Sequence, residues 1–193
     1  MENGAVLQPT ATGVEQGSPM QMIGDDGGVL NNSQEFFISK AVSGTKLTKR
    51  GSGKLNLNVS NTALTRLVVE AGILKCLNGT NTPAKTVELR GGEIQEYTGS
   101  GYTIDVAENK SGVWRMVNDV TYSNKITGKG KLTAYCTTRS GTSNGTTWYA
   151  TRTPVACNFS DFEGTLVPTS SHDDADNLRF TLNVYHEDEE FTP

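Results

Sequence analysis

Histidine, cysteine and aromatic residues are scarce in this chain of 193 residues, which has two His, three Cys and only 7% Phe, Trp and Tyr. The two imidazoles, His172 and His186, each sit in an acidic stretch. Neither is accompanied by a Ser or Cys in a recognisable nucleophile motif, so acyl-transfer triads have nothing to build on. Cys76, Cys136 and Cys157 are odd in number and lack C-x-x-C spacing, which argues against a disulfide framework and a zinc knuckle. Free thiols are the expectation. No stretch approaches the ~18 consecutive apolar residues that a membrane span needs. The first thirty residues also lack a basic segment followed by an apolar one. The expectation is a protein without signal peptide or transmembrane segment, made and kept in a cytoplasm.

Hydrophobic residues are 35% and charged residues 20%, so uncharged polar residues fill the gap, with 25 Thr, 21 Gly, 15 Asn and 14 Ser. Thr suits a pleated strand, while Gly, Asn and Ser suit tight turns, so short strands joined by turns are favoured over a helix bundle. Glycosylation sequons at Asn31, Asn58, Asn78, Asn109, Asn144 and Asn158 are what such a composition produces by chance. Strand-like runs fall at 35–42, 54–60, 86–90, 93–97, 102–106, 113–117, 131–136, 146–151, 155–159 and 178–185. Gly marks nearly every break, and no internal repeat of fixed period is visible. Between them Leu64, Leu67, Val68, Ala71 and Leu74 recur at spacings of three and four, which predicts one short helix over 62–75. The predicted fold is therefore mainly β, an antiparallel β-sandwich or barrel with that helix and with extended N- and C-terminal segments. Three parts are expected: an extended arm over 1–32, a single β-rich domain over 33–186 and an acidic tail over 187–193. Asn144-Gly145 predicts a two-residue hairpin turn. In that register Cys136 and Cys157 are offset by four residues, roughly 13 Å along a strand, too far for a disulfide.

Charge is sorted along the chain. Residues 1–35 carry five acids and no base, 36–69 six bases and no acid, 120–160 five bases and no acid, and 161–193 nine acids and one base. Lys46, Lys49, Arg50 and Lys54 form the densest basic cluster, around Gly51-Ser52-Gly53. Its spacing fails the P-loop pattern and it lacks interleaved aromatics, so it reads as a solvated turn or protein-contact surface, with nucleic-acid contact only weakly supported. His172, Asp173, Asp174, Asp176 and Asn177 offer cation ligands but neither the Gly nor the distal Glu of an EF-hand loop, and read as an exposed turn. Gly24-Asp25-Asp26-Gly27 resembles the Gly-Asp-Asp of polymerase palms, a domain too large for this chain. Glu88, Glu93, Glu96 and Asp105 lie on neighbouring runs as candidate paired carboxylates for glycoside hydrolysis. Trp114, Trp148 and Tyr149 are candidates for a sugar platform, although tryptophans in a β fold more often anchor a core. No catalytic, cofactor or metal residue is assigned.

The strand runs rich in Gly, Thr, Asn and Ser, the extended termini and the missing active site together resemble, at class level, small virion proteins: tail-tube, capsid or decoration subunits of phages or other viruses. The acidic arm departs from the basic arms of many RNA-virus coats. What the resemblance implies is a non-enzymatic structural subunit located in the virion, forming a homo-oligomer through terminal arms and sheet edges beside other virion proteins. The rival expectation is a carbohydrate-binding β-sandwich module.

Overall fold

The computed structural model describes residues 4–57, 62–76, 84–99, 101–117, 120–137, 139–150 and 157–170. It is a parallel β-solenoid, a chain wound so that each coil lays one strand into a first sheet and the next into a second. Coil one holds β1 (Ala5–Leu7) and β2 (Val14–Glu15); coil two holds β3 (Met20–Met22), β4 (Gly28–Asn31) and β5 (Phe36–Ile38). Next come β6 (Val42–Arg50) with β7 (Lys54–Leu57), β8 (Thr62–Val69) with β9 (Ile73–Cys76), and β10 (Ala84–Leu89) with β11 (Glu93–Gln95). The stack continues through β12 (Thr103–Val106) with β13 (Ser111–Met116), then β14 (Lys125–Gly128) with β15 (Lys131–Cys136). A hairpin of β16 (Arg139–Ser143) and β17 (Thr146–Ala150) interrupts it before β18 (Asn158–Phe162) and β19 (Thr165–Ser170) close the eighth coil. Eight coils at ~4.8 Å per strand spacing give a rod roughly 34 Å long.

Three expectations are corrected. Every pairing between the two main sheets' own strands is parallel, and β16 with β17 is the one antiparallel pair among the described residues, so the fold is neither an antiparallel sandwich nor a barrel. No helix occupies 62–75; that stretch is β8, a corner and β9. A repeat exists, because Lys46, Arg66 and Thr86 are register partners 20 residues apart, as are Ile94, Trp114 and Ala134. The helix-like spacing has a local cause. Leu64 and Leu67 both bury although they lie three apart, so the inward side changes parity between them. Gly44, the partner of Leu64, accommodates the bend at φ +119°. Ala71 then lies in the corner and Leu74 faces inward from the second sheet.

The core lies between the sheets as columns of like residues. Leu47, Leu67, Val87, Ile104 and Ile126 are consecutive register partners in the first sheet, each wholly buried. Opposite them run Phe36, Leu55, Leu74, Ile94, Trp114 and Ala134. Trp114 meets Tyr122 edge-to-face at 5.2 Å, and small Ala134 in the next coil leaves room for the indole. Residues 5–31 supply β1 to β4 to the same stack, with β3 and β4 both pairing with β6. Residues 23–27 loop out opposite Thr45 and Lys46. The Asn144-Gly145 turn is as expected: Ser143 faces Thr146, and both turn residues have positive φ, the type I′ requirement. All three cysteines are free and buried. Cys136 ends β15 in the second sheet while Cys157 precedes β18 in the first, so they do not face each other across the hairpin. The expected final strand at 178–185 and the tail at 187–193 lie outside the described residues.

One column contains a cation. Lys49 stands in register with Leu30, Val69, Leu89 and Val106, fully buried. Its Nζ donates to the carbonyls of Arg50 at 2.8 Å, Gly51 at 2.7 Å and Ala71 at 3.1 Å, tying the third corner to the fourth. Gly72 is part of this arrangement: a Cβ there would lie 2.5 Å from the Gly51 oxygen and 2.8 Å from Nζ, at φ +68°. Burial pushes Lys49 down to about 8 from its ordinary 10.5. Between those values the unfolded chain holds a proton that the folded one has released, so stability rises with pH across that window. Wild-type protein is therefore expected to gain up to about 3 kcal/mol relative to Lys49→Met between pH 8 and 10.5, read from paired urea titrations. Parallel pH curves for the two proteins would refute the assignment.

Candidate functional site

The richest arrangement of polar side chains covers the outer face of the first sheet. Strand alternation points Arg66, Glu88, Asp105 and Thr127 away from the core on successive strands. Arg66 Nη2 lies 2.7 Å from Glu88 Oε2 and 3.6 Å from Asp105 Oδ2, while Thr127 Oγ1 donates to Asp105 Oδ1 at 2.8 Å. Arg90 pairs with the other Glu88 oxygen. The Glu88 side chain is only 3% exposed, so it is a carboxylate buried between two guanidiniums. An open groove of about 360 Å³ runs beside this network, lined by Thr65, Arg66, Thr86, Thr103, Asp105 and Thr127.

Of the four candidate hydrolytic carboxylates, the fold brings Glu88 and Asp105 onto neighbouring strands and puts Glu93 and Glu96 on the other sheet's side. Glu93 is held by Arg115 through Nε at 2.6 Å and Nη2 at 3.1 Å. Burial works against its charged form, but the hydrogen bonds from Arg115 and Gln95 outweigh it and hold the carboxyl below the usual range. Glu96 pairs with Lys75 at 3.1 Å. Arg66 occupies the space between Glu88 and Asp105 where a glycosidic oxygen and its water would have to enter. Each of the four carboxylates is paired with an arginine or lysine in the folded stack.

The basic cluster does not form one patch. Lys49 is inside the core, Arg50 pairs with Glu70 at 2.6 Å, and Lys54 pairs with Glu35 at 3.3 Å on the second sheet's outer face. Lys46 joins Arg50, Arg90, Asp26 and Glu70 around a groove of about 280 Å³ with Val29, Thr48 and Val68 as its floor. Gly24-Asp25-Asp26-Gly27 is a turn closed by the Gly27 amide on the Gly24 carbonyl at 3.1 Å. Trp114 is 1% exposed and supplies no sugar platform. For Trp148 and Tyr149 only the backbone, in β17, is described. His172, Asp173, Asp174, Asp176, Asn177 and His186 lie outside the described residues, among which no group of three or more His, Cys, Asp or Glu is arranged to hold a metal. No helix of the described residues is long and apolar enough to cross a membrane.

Sequence reasoning missed two features: the arginine role of Arg66 and the surface of the first two coils, where Val6, Leu7 and Val14 in the first and Ile23 in the second are the exposed large hydrophobics of the described residues. Neither carries a local signal, since both depend on which residue the next coil sets alongside. No protein family, no curated protein and no solved structure matches the chain.

Removing Arg66 leaves a buried carboxylate with half its charge compensation. Arg66→Ala is expected to lose about 1–3 kcal/mol in chemical denaturation, and Arg66→Ala/Glu88→Gln to recover part of that loss. Equal stability of Arg66→Ala and wild type would show that Glu88 does not depend on this guanidinium.

Proposed function

We propose that this chain is a non-enzymatic structural subunit that self-assembles, of the kind found in virions as tail, capsid or decoration proteins. The observation that carries the reading is the distribution of apolar surface: a stack whose flanks carry ion pairs concentrates the exposed large hydrophobics of its described residues at the first two coils. Monomeric soluble proteins rarely leave such residues clustered, and repeat stacks need their ends covered. The flanks support the non-enzymatic part, because Glu70, Glu88, Glu93, Glu96 and Asp105 are each engaged by arginine or lysine. A virion is a setting in which a short rigid rod serves by position and contact, and virion location is part of the proposal.

Light scattering coupled to size-exclusion chromatography, with electron microscopy of the same fractions, tests this reading. Discrete rings, tubes or filaments are expected. A protein that stays monomeric up to about 100 µM, where micromolar contacts are fully populated, would overturn it.

A further inference from the structure

The first coil presents two kinds of unused contact. β1 and β2 terminate their sheets, each with a single strand neighbour among the described residues, so one backbone edge of each is unpaired. Around those edges Val6 is 58% exposed, Ile23 46%, and Leu7 and Val14 37% each. Glu15 lies in the first coil and Asp25 and Asp26 in the adjoining loop 23–27, where Asp26 borders the groove shared with Lys46, and residues 1–35 contain no base.

The opposite balance lies far along the rod. Residues 120–160 hold five bases and no acid, of which Lys125, Lys129 and Lys131 lie in the seventh coil and Arg139 begins the hairpin. There Lys125 and Lys129 are engaged by Asp161 and Glu163. Lys131, and Lys110 at the same corner one coil earlier, are exposed and have no ion-pair partner among the described residues. Six strand spacings, roughly 29 Å, separate the first coil from the seventh. At a Debye length of ~8 Å in physiological salt, charges so far apart do not neutralise one another within one molecule. Two complementary surfaces that never meet in one copy meet between two.

We propose that the β1–β2 end of one copy docks on the Lys110–Lys131 corner of a second copy. This rests on the structural-subunit reading and names its contact. Val6, Leu7 and Val14 form the apolar centre, and Glu15, Asp25 and Asp26 form a rim that selects the lysine corner over the acid-bearing first coil of another copy. The contact is heterologous: each copy keeps one surface of each kind open, so it propagates into a ring or a filament.

Charge exchange in the full chain tests this, with association followed by sedimentation velocity across a salt series and folding checked by circular dichroism. Three variants are needed: Val6→Asp/Val14→Asp at the centre, Glu15→Lys/Asp25→Lys/Asp26→Lys at the rim, and Lys110→Glu/Lys131→Glu at the corner. Each alone is expected to weaken association by about tenfold or more, and rim and corner exchanges combined in one chain to restore it to within about threefold of wild type. Wild-type association weakens as salt rises. Assemblies that persist in all three variants would overturn this contact and leave the subunit reading standing, whereas a wild type monomeric throughout would remove both. Loss in the Val6→Asp/Val14→Asp variant with no effect of either charge exchange would seat the first coil elsewhere on the second copy and overturn its docking on the lysine corner. Failure of the combined exchange to restore association would do the same.

Discussion

Parallel, in-register pairing of each coil with the next is the constraint on which everything else in this molecule depends. The backbone ladder forms only if the chain returns to the same height after each turn, and then equivalent residues of successive coils stand directly above one another. An inward position must therefore suit a column rather than a single site. Leu47, Leu67, Val87, Ile104 and Ile126 meet that demand with aliphatic side chains that bury side by side. Lys49 departs from it, since an ammonium sits where the other coils place Leu, Val or Leu again. Its cost of burial is offset at the corner, where the carbonyls of Arg50, Gly51 and Ala71 accept its protons.

The same constraint governs the outer faces. A parallel stack sets identical positions about ~4.8 Å apart, so a conserved charge repeated in every coil would repel its neighbours. At several positions this chain sets opposite signs together instead, and where like charges do fall in register, as at Glu88 with Asp105, an arginine reaches between them. Arg50 faces Glu70, Arg66 reaches both Glu88 and Asp105, and Arg115 clasps Glu93 while lying 4.0 Å above the Tyr135 ring. A densely charged sequence segment can consequently fold into a nearly neutral surface, which is what becomes of the cluster at Lys46, Lys49, Arg50 and Lys54.

The positions of strands were legible because alternation is a local property. The run at 131–136 coincides with β15, and those at 86–90, 93–97, 102–106 and 113–117 overlap β10 to β13 within two residues at either end. Partner and direction were not legible, because a strand with one buried face alternates in the same way whether its neighbour runs parallel or antiparallel. The repeat hid for a related reason. What recurs every 20 residues or so is a burial position, and that position accepts Leu, Val, Ile, Phe or Trp, while coil lengths vary with loops such as 23–27 and the β16–β17 hairpin. The expected helix shows the hazard in miniature: a parity change inside β8 and a Gly72 corner imitate 3.6-residue spacing over Leu64, Leu67, Ala71 and Leu74. At the candidate site, the four carboxylates were visible as residues, but apart from Arg90 beside Glu88 the cations that neutralise them lie about 20 residues or more away in sequence, as Arg66 does from Glu88.

A stack of this kind distributes stability unevenly along its axis. Interior coils bury both edges of each strand and gain contacts on two sides, whereas an end coil gains them on one, so its ordering entropy is offset by about half as many interactions. The first coil shows the consequence in its dimensions: β1 has three residues and β2 two, all exposed, against nine in β6 and eight in β8. Short edge strands and acidic side chains are the usual means by which a protein discourages indiscriminate strand addition. Exposed Val6, Leu7 and Val14 work in the opposite direction, favouring contact. An end that is apolar enough to bind and acidic enough to reject its own kind is selective by construction, and a positively charged surface satisfies it better than an acidic one.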